Sequence, residues 1–277
     1  MKYNNELSVI DTQEKAYLLG FLYGDGTISR YAEKNGKIRH QTKISIQIGD
    51  SDLIKDLKKN FPFFTLGEFD YSKYNENSVK QISISSHSKK VFDDLMLNGL
   101  YPRKSYENKD KLRLPDIDDK LISHFIRGFF DADGSAYILT DRPNSLRIEF
   151  ASVSHIFLSE IESYLKKLHI NSWSLRSKMP TGKSKQNCFV LSYIKTIDVQ
   201  SLINFMYADA HIKMERKAIK CLEYKPVNKV KDRNLRCPKC DSDKIWSMGD
   251  RGKTTRYECQ GCKRDFSIKH FLFKNIE

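Results

Sequence analysis

Long apolar runs are missing from this chain: none of its 277 residues fall in a stretch of roughly 20 consecutive apolar residues, the length a membrane-spanning helix needs. The start, Met1-Lys2-Tyr3-Asn4-Asn5-Glu6, lacks an apolar signal region, so the sequence predicts an intracellular protein, cytoplasmic or organellar, that is not secreted. Cysteine is scarce, six in all, and four of the six form two close pairs near the C-terminus. In an intracellular setting such pairs point to a metal and away from disulfides. Acidic residues are in deficit, 35 against 48 lysines and arginines, which leaves a net charge of +13. That deficit favours a polyanion as partner, nucleic acid ahead of a membrane surface. Hydrophobic residues at 39% suffice for a sizeable core. The length exceeds the roughly 100–200 residues of one domain, as suits a large body plus a small module.

Two short segments stand out: Leu18-Leu19-Gly20-Phe21-Leu22-Tyr23-Gly24-Asp25-Gly26 and Ile126-Arg127-Gly128-Phe129-Phe130-Asp131-Ala132-Asp133-Gly134. Each reads as the end of an apolar helix with small residues four apart, then an aspartate, then glycine. Small residues at that spacing let two helix backbones approach closely. Asp25 and Asp133 fall once in each half of a duplicated region. A helix C-terminus already carries partial negative charge, so an acid there is poorly placed for stability. Two such placements ask for a cation.

The surrounding pattern repeats as well. The first helix is expected from Asp11, with Glu14 completing a capping box, and Gly24 and Gly26 relieving left-handed strain at its end. The second follows Pro115, with Asp116, Asp118 and Asp119 in its first turn. Alternating strands at 43–48 and 146–150 are each followed by a helix, 51–60 and 154–168. Strands at 81–85 and 188–193 come next, and helices at 89–97 and 197–207 close each half. The order is helix, two strands, helix, two strands, helix, twice. This divides the chain into repeats at 1–110 and 111–224, a basic linker at 225–236 suited to phosphate contact, and a module with its tail at 237–277.

With these motifs the sequence resembles the LAGLIDADG homing endonucleases, in their monomeric two-motif form, over about residues 10–222. Gly128, Phe129, Asp131, Ala132, Asp133 and Gly134 fit the signature closely. The first copy departs from it, with Tyr23 and Gly24 where the family often has aspartate and alanine. The resemblance implies an α+β fold of two pseudo-symmetric αββαββα repeats, whose sheets form a saddle over the DNA major groove. It also implies a site-specific double-strand DNA endonuclease of a mobile genetic element. Such an enzyme would hydrolyse phosphodiesters of a long target, leave short 3′ overhangs and need no protein partner. Asp25 and Asp133 would hold magnesium or manganese, joined by the carbonyls of Gly24 and Ala132. The family places a lysine near each cleaved phosphate. Lys104 and Lys213, at nearly matching offsets from Asp25 and Asp133, are the candidates, with Lys217 a rival to Lys213. Asp50 and Ser152, at strand ends, would orient the attacking water.

Other readings compete. One is a protein of the same fold that binds DNA or RNA without cleaving it, a transcription regulator or an intron maturase. Another is a transposon-associated binding factor, which leaves the duplicated body unexplained. A start at Met1 and a finish at Asn275-Ile276-Glu277 speak against an excised intein.

Base contacts are expected from the strands. Lys43, Ser45 and Gln47 share one strand face, as Arg147 and Glu149 do, and these residue types suit guanine, adenine and cytosine edges. Arg30, Arg39, His40, Arg142, Arg176 and Lys178 flank them. At the C-terminal end, the pairs Cys237-Pro238-Lys239-Cys240 and Cys259-Gln260-Gly261-Cys262 have the separation of a zinc ribbon. Four thiolates would complete a tetrahedral structural Zn2+ site, with Tyr257, Phe266 and Trp246 packed beside it and a basic surface for DNA or, alternatively, a protein. Cys188 and Cys221 are expected to be ordinary core cysteines.

Overall fold

The computed structural model describes residues 7–70, 79–140, 145–179, 187–225, 236–251 and 254–269. The chain forms two compact units, Met1–Tyr224 and Lys225–Glu277. The first contains α1 (Gln13–Gly24), β1 (Gly26–Ala32), β2 (Ile38–Gln47), α2 (Ser51–Asn60), β3 (Thr65–Phe69), β4 (Gln81–Ser86) and α3 (Lys89–Leu97). The same series then recurs as α4 (Asp119–Asp133), β5 (Gly134–Ile138), β6 (Leu146–Ser152), α5 (His155–Lys167), β7 (Ser174–Lys178), β8 (Cys188–Tyr193) and α6 (Thr196–Tyr207). Both antiparallel sheets have the same order, β1-β2-β4-β3 and β5-β6-β8-β7. The fold is therefore α+β, built from two αββαββα repeats. One helix follows that the sequence pattern did not suggest, α7 (Glu215–Leu222).

Helix α1 starts later than expected. The Thr12 hydroxyl accepts from the Lys15 amide and caps the helix, while Asp11 holds the Lys15 ammonium at 2.7 Å. Helix α4 is capped by Asp118, whose carboxylate accepts from the Lys120 amide, so Asp116 lies outside it. Ala16 to Tyr23 are all buried, because α1 runs through the middle of its unit and leaves no face to water.

The glycines at the helix ends do not relieve left-handed strain. Among described glycines only Gly36 and Gly99 have positive φ. What Gly26 and Gly134 supply is room: a Cβ would lie 2.5 Å from the Leu22 Cα and 2.5 Å from the Phe130 carbonyl oxygen, respectively. Strand parity sets the sheet faces. Thr42, Ile44 and Ile46 are buried under the helices, while Lys43, Ser45 and Gln47 point the other way. Leu146, Ile148 and Phe150 are buried in the same manner, opposite Arg147 and Glu149.

The second unit is a three-stranded antiparallel sheet, β9 (Ile245–Arg251), β10 (Thr254–Cys259) and β11 (Asp265–Lys269), in the order β11-β10-β9. Tyr257 and Phe266 stack with ring centroids 5.6 Å apart. Trp246 does not join them and is 66% exposed, a departure from the sequence expectation. Residues 226–235 of the basic linker, and Arg142, lie outside the described residues.

Candidate active site at the paired helix ends

Three small residues bring α1 and α4 together. A Cβ at Gly20 would sit 2.0 Å from the Phe125 carbonyl oxygen, and one at Gly128 would sit 2.1 Å from the Tyr17 carbonyl oxygen. One turn further on, a Cβ at Gly24 would lie 2.4 Å from the Ala132 Cβ and 3.2 Å from both Cγ and Oδ2 of Asp133. The Asp133 carboxylate thus lies across the end of α1, beside Asp25. Packing that admits only glycine or alanine is what brings the two acids to one place.

Their electrostatics follow from that proximity. The Asp133 pKa is raised to about 6, first by lost hydration and then by the negative charge of Asp25, with Lys104 and Lys217 opposing. Asp25 is also raised by lost hydration on its protein side, while Lys217, Lys104 and Arg216 pull it down; both carboxylates keep one edge open to solvent.

Two lysines close the helix ends. The Lys104 ammonium donates to the carbonyls of Gly24 at 2.7 Å and Gly26 at 2.6 Å. The Lys217 ammonium donates to those of Phe130, Asp131, Ala132 and Gly134, at 2.7–3.1 Å. Cations there satisfy orphan carbonyls and complement the helix dipole. Burial lowers the pKa of both lysines, and both aspartates raise it again. Asp133 and Lys104 line a cavity of about 190 Å³ together with Tyr23, Ser152 and Cys188. Cys188 is therefore not an ordinary core cysteine, whereas Cys221 is fully buried as expected.

Lys213 is not brought to the acids. Its ammonium pairs with Glu215 at 3.1 Å and lines a separate cleft of about 290 Å³ with Asp50 and Arg216. Lys217, on α7, takes the place that matches Lys104. Asp50 lines that separate cleft and not the cavity beside Asp133, and both its oxygens accept from the Arg216 guanidinium at 3.0–3.2 Å. The Gly24 and Ala132 carbonyls are present at the site but already accept from the lysines.

Sequence reasoning missed how α7 is held. The buried Asp131 carboxylate accepts from the Met214 amide at 2.7 Å and from the hydroxyls of Tyr17 and Tyr207. Arg127, also buried, donates to the carbonyls of Ile212 and Met206. These two side chains of α4 fix the segment that leads into α7 and so place Lys217. In the first repeat the Tyr23 hydroxyl donates to the Asn98 carbonyl, ahead of the segment that carries Lys104. This accounts for tyrosine at position 23 where the second copy has Asp131. Buried charge inside the second motif was the signal that could have revealed the clamp.

The polar sheet faces carry most of the expected contact residues. Register places Arg39 and Lys43 on the face of Ser45 and Gln47, and adds Gln41, Ser83 and Ser85. Arg30 instead pairs with His40 on the opposite face, where His40 packs on Phe92 of α3. Arg176 and Lys178 share the face of Glu149 across β8.

Residues 120–205 match the family model described as a LAGLIDADG-like domain. The match falls within the second repeat. A curated relative, an uncharacterized protein of Methanocaldococcus jannaschii, is 24% identical over 176 residues, 61% of this chain and 60% of that protein. A probable translation initiation factor IF-2 of the same organism is 22% identical over 222 residues, 77% of this chain but 17% of the relative. The chain thus spans less than two thirds of either relative. Solved structures similar to it include the LAGLIDADG meganuclease I-AabMI bound to uncleaved DNA, 16% identical, covering 75% of this chain and 87% of that one, with a TM-score of 0.49. I-DmoI in complex with DNA and Mn is 15% identical, with 74% and 99% covered and a TM-score of 0.48.

In the second unit, ligand atoms of Cys237, Cys240, Cys259 and Cys262 all lie within 4.8 Å of one another. The Cys262 amide points at the Cys259 sulfur, and the Lys239 amide at the Cys237 sulfur. Amides directed at sulfur favour thiolates, the form in which cysteine binds zinc. Among the described residues no helix is long and apolar enough to cross a membrane.

Proposed function

We propose that this chain is a site-specific double-strand DNA endonuclease of the homing type, which hydrolyses phosphodiesters with a divalent cation held between Asp25 and Asp133. The observation that carries this reading is the meeting of one aspartate from each repeat at the ends of helices paired through Gly20, Gly24 and Gly128. Two carboxylates forced together, each with a raised pKa, form an oxygen donor set that a hard divalent cation relieves. Magnesium or manganese would there generate the nucleophile from water and stabilise the leaving oxygen. Lys104 and Lys217 hold the two helix ends in place, and their charge favours a phosphate beside the acids. The polar faces of the two sheets would read the duplex, and the net charge of +13 suits its phosphates. The four cysteines of the second unit would hold structural zinc.

The test is cleavage. With magnesium and a library of duplexes, the wild-type protein should cut both strands of selected targets. Asp25→Asn and Asp133→Asn should each abolish scission while binding persists. Binding without any scission by the wild-type protein would instead identify a regulator or maturase of the same fold.

A further inference from the structure

The polar face of the second sheet carries one acid set among cations. Oε1 of Glu149 accepts from the Ser192 hydroxyl at 2.8 Å, and lies 3.4 Å from Nη2 of Arg176 and 3.7 Å from Nη1 of Arg147. The Glu149 side chain is 15% exposed, while that of Arg176 is 55% exposed. Arg147 is held from its other side by Tyr137, with its guanidinium 6.0 Å from the ring centroid and Nη1 3.4 Å from the hydroxyl. Register sets Tyr137 opposite Arg147, and Glu149 opposite Ser192. The group therefore crosses all four strands on one face.

Among the described residues of the first sheet no acid on a strand holds arginines in this way; Arg39 is held from the loop after β1, by Glu33 at 2.7 Å. Gly26 pairs with Ile44 as Gly134 pairs with Phe150, so Lys43 stands where Glu149 does and Gln41 where Arg147 does. One acid has been exchanged for a base across the pseudo-twofold.

An oxygen that already accepts two hydrogen bonds, with a second guanidinium 3.7 Å away, is poorly placed to accept from a cytosine amino group. The arginines it holds, in contrast, keep most of their N–H groups free. A guanidinium fixed in orientation is suited to the paired acceptors O6 and N7 of guanine. We propose that Glu149 is a positioning residue that aims Arg147 and Arg176 into the major groove, so that the half-site under the second sheet is selected at two guanines. This rests on the DNA-binding reading above and adds an asymmetry between the two half-sites.

The experiment is enrichment of bound duplexes from a randomised library by the full chain, in buffer without magnesium. Wild-type protein should enrich guanine at two positions of one half-site. Glu149→Ala should lower the preference at both positions together, by about tenfold or more. Arg147→Gln should remove one preference and Arg176→Gln the other, with the opposite half-site unaltered in all three. Loss of a cytosine preference in Glu149→Ala, with both guanines retained, would overturn the proposal and make Glu149 the reader. An unchanged profile, or equal loss across both half-sites, would also overturn it. If the wild-type protein enriches no duplex, the DNA-binding reading itself fails, and the positioning role with it.

Discussion

Lys217 is nearly buried, at 6% exposure, and serves four carbonyls, whereas Lys104 serves two. Methionine matches the length of the stem but donates nothing. Lys217→Met should therefore cost about 2–4 kcal/mol of stability, and Lys104→Met about half as much, since each leaves buried acceptors unpaired. Denaturant titration checks the order, and equal losses would contradict it. Asp133 makes a different prediction, through its raised pKa of about 6. The folded protein holds this proton more tightly than the unfolded chain does. Stability from that group is thus present below the unfolded value near 4 and is lost as pH rises through about 6. In metal-free buffer the stability of Asp133→Asn relative to wild type should grow between pH 4 and pH 6 and then level off. Added magnesium should narrow the gap at pH 7 by stabilising wild type alone. Residue roles were only partly legible in the sequence. The two aspartates could be read because an acid beside glycine at a helix end is conspicuous twice. Lys217 could not be ranked above Lys213, because nearly equal offsets from the aspartates favoured the latter. The structure breaks that symmetry: Lys104 comes about seven residues after the end of α3 and Lys217 about ten after the end of α6, so Lys217 follows Asp133 at a greater distance along the chain than Lys104 follows Asp25. The shared Arg103-Lys104 and Arg216-Lys217 dipeptides were the better guide.

Among the elements, the pairing of α1 with α4 leaves the least tolerance. Backbone approaches this close, at Gly20 and Gly128, have no slack for a methyl group, because the neighbours are carbonyl oxygens and not flexible side chains. Gly128→Ala should force the helices apart, lower stability by about 2 kcal/mol or more, and reduce cleavage beyond what the stability loss explains. Cleavage assayed well below the melting temperature separates the two effects. Full activity with an unshifted melt would contradict the packing argument. The repeat itself was legible because alternation and helical spacing both recur. Helix 51–60 matches an observed element because its buried positions, Leu53, Ile54 and Leu57, lie on one side; strand 188–193 matches as a short apolar run buried on both faces from Val190 to Tyr193. Helix α7 was missed because it is short and follows the helix that closes the second repeat, although Ala218, Ile219, Cys221 and Leu222 do follow helical spacing beside the buried stem of Lys217. Burial of a lysine is the opposite of what periodicity looks for. The ends of α1 were misread for a related reason. A glycine at a helix end suggests left-handed backbone, yet here it marks crowding, by Ala132 and Asp133 of α4 at Gly24 and by Leu22 of the same helix at Gly26.

The two units of the chain divide its charge unevenly. The segment from Lys225 onward holds 14 lysines and arginines against 7 acids, more than half of the net charge of +13. Buried residues are few in this unit: Cys237, Tyr257 and Cys259 are the buried ones among its described residues. So small a core leaves a metal to supply most of the folding free energy. The body of residues 1–224, in contrast, has its own extensive core. Replacing Cys237 and Cys259 by serine should therefore release zinc and unfold the second unit, while the main thermal transition of the first stays where it is. Zinc content by mass spectrometry, with calorimetry, checks both halves of that statement. The same variant should bind duplex DNA more weakly and with a shallower dependence on salt, losing about one unit of slope for each phosphate contact given up. A melt that shifts as a whole would mean the two units fold as one. Retained zinc would remove the four cysteines from the metal site, and an unchanged salt slope would assign the basic excess of this unit to something other than DNA.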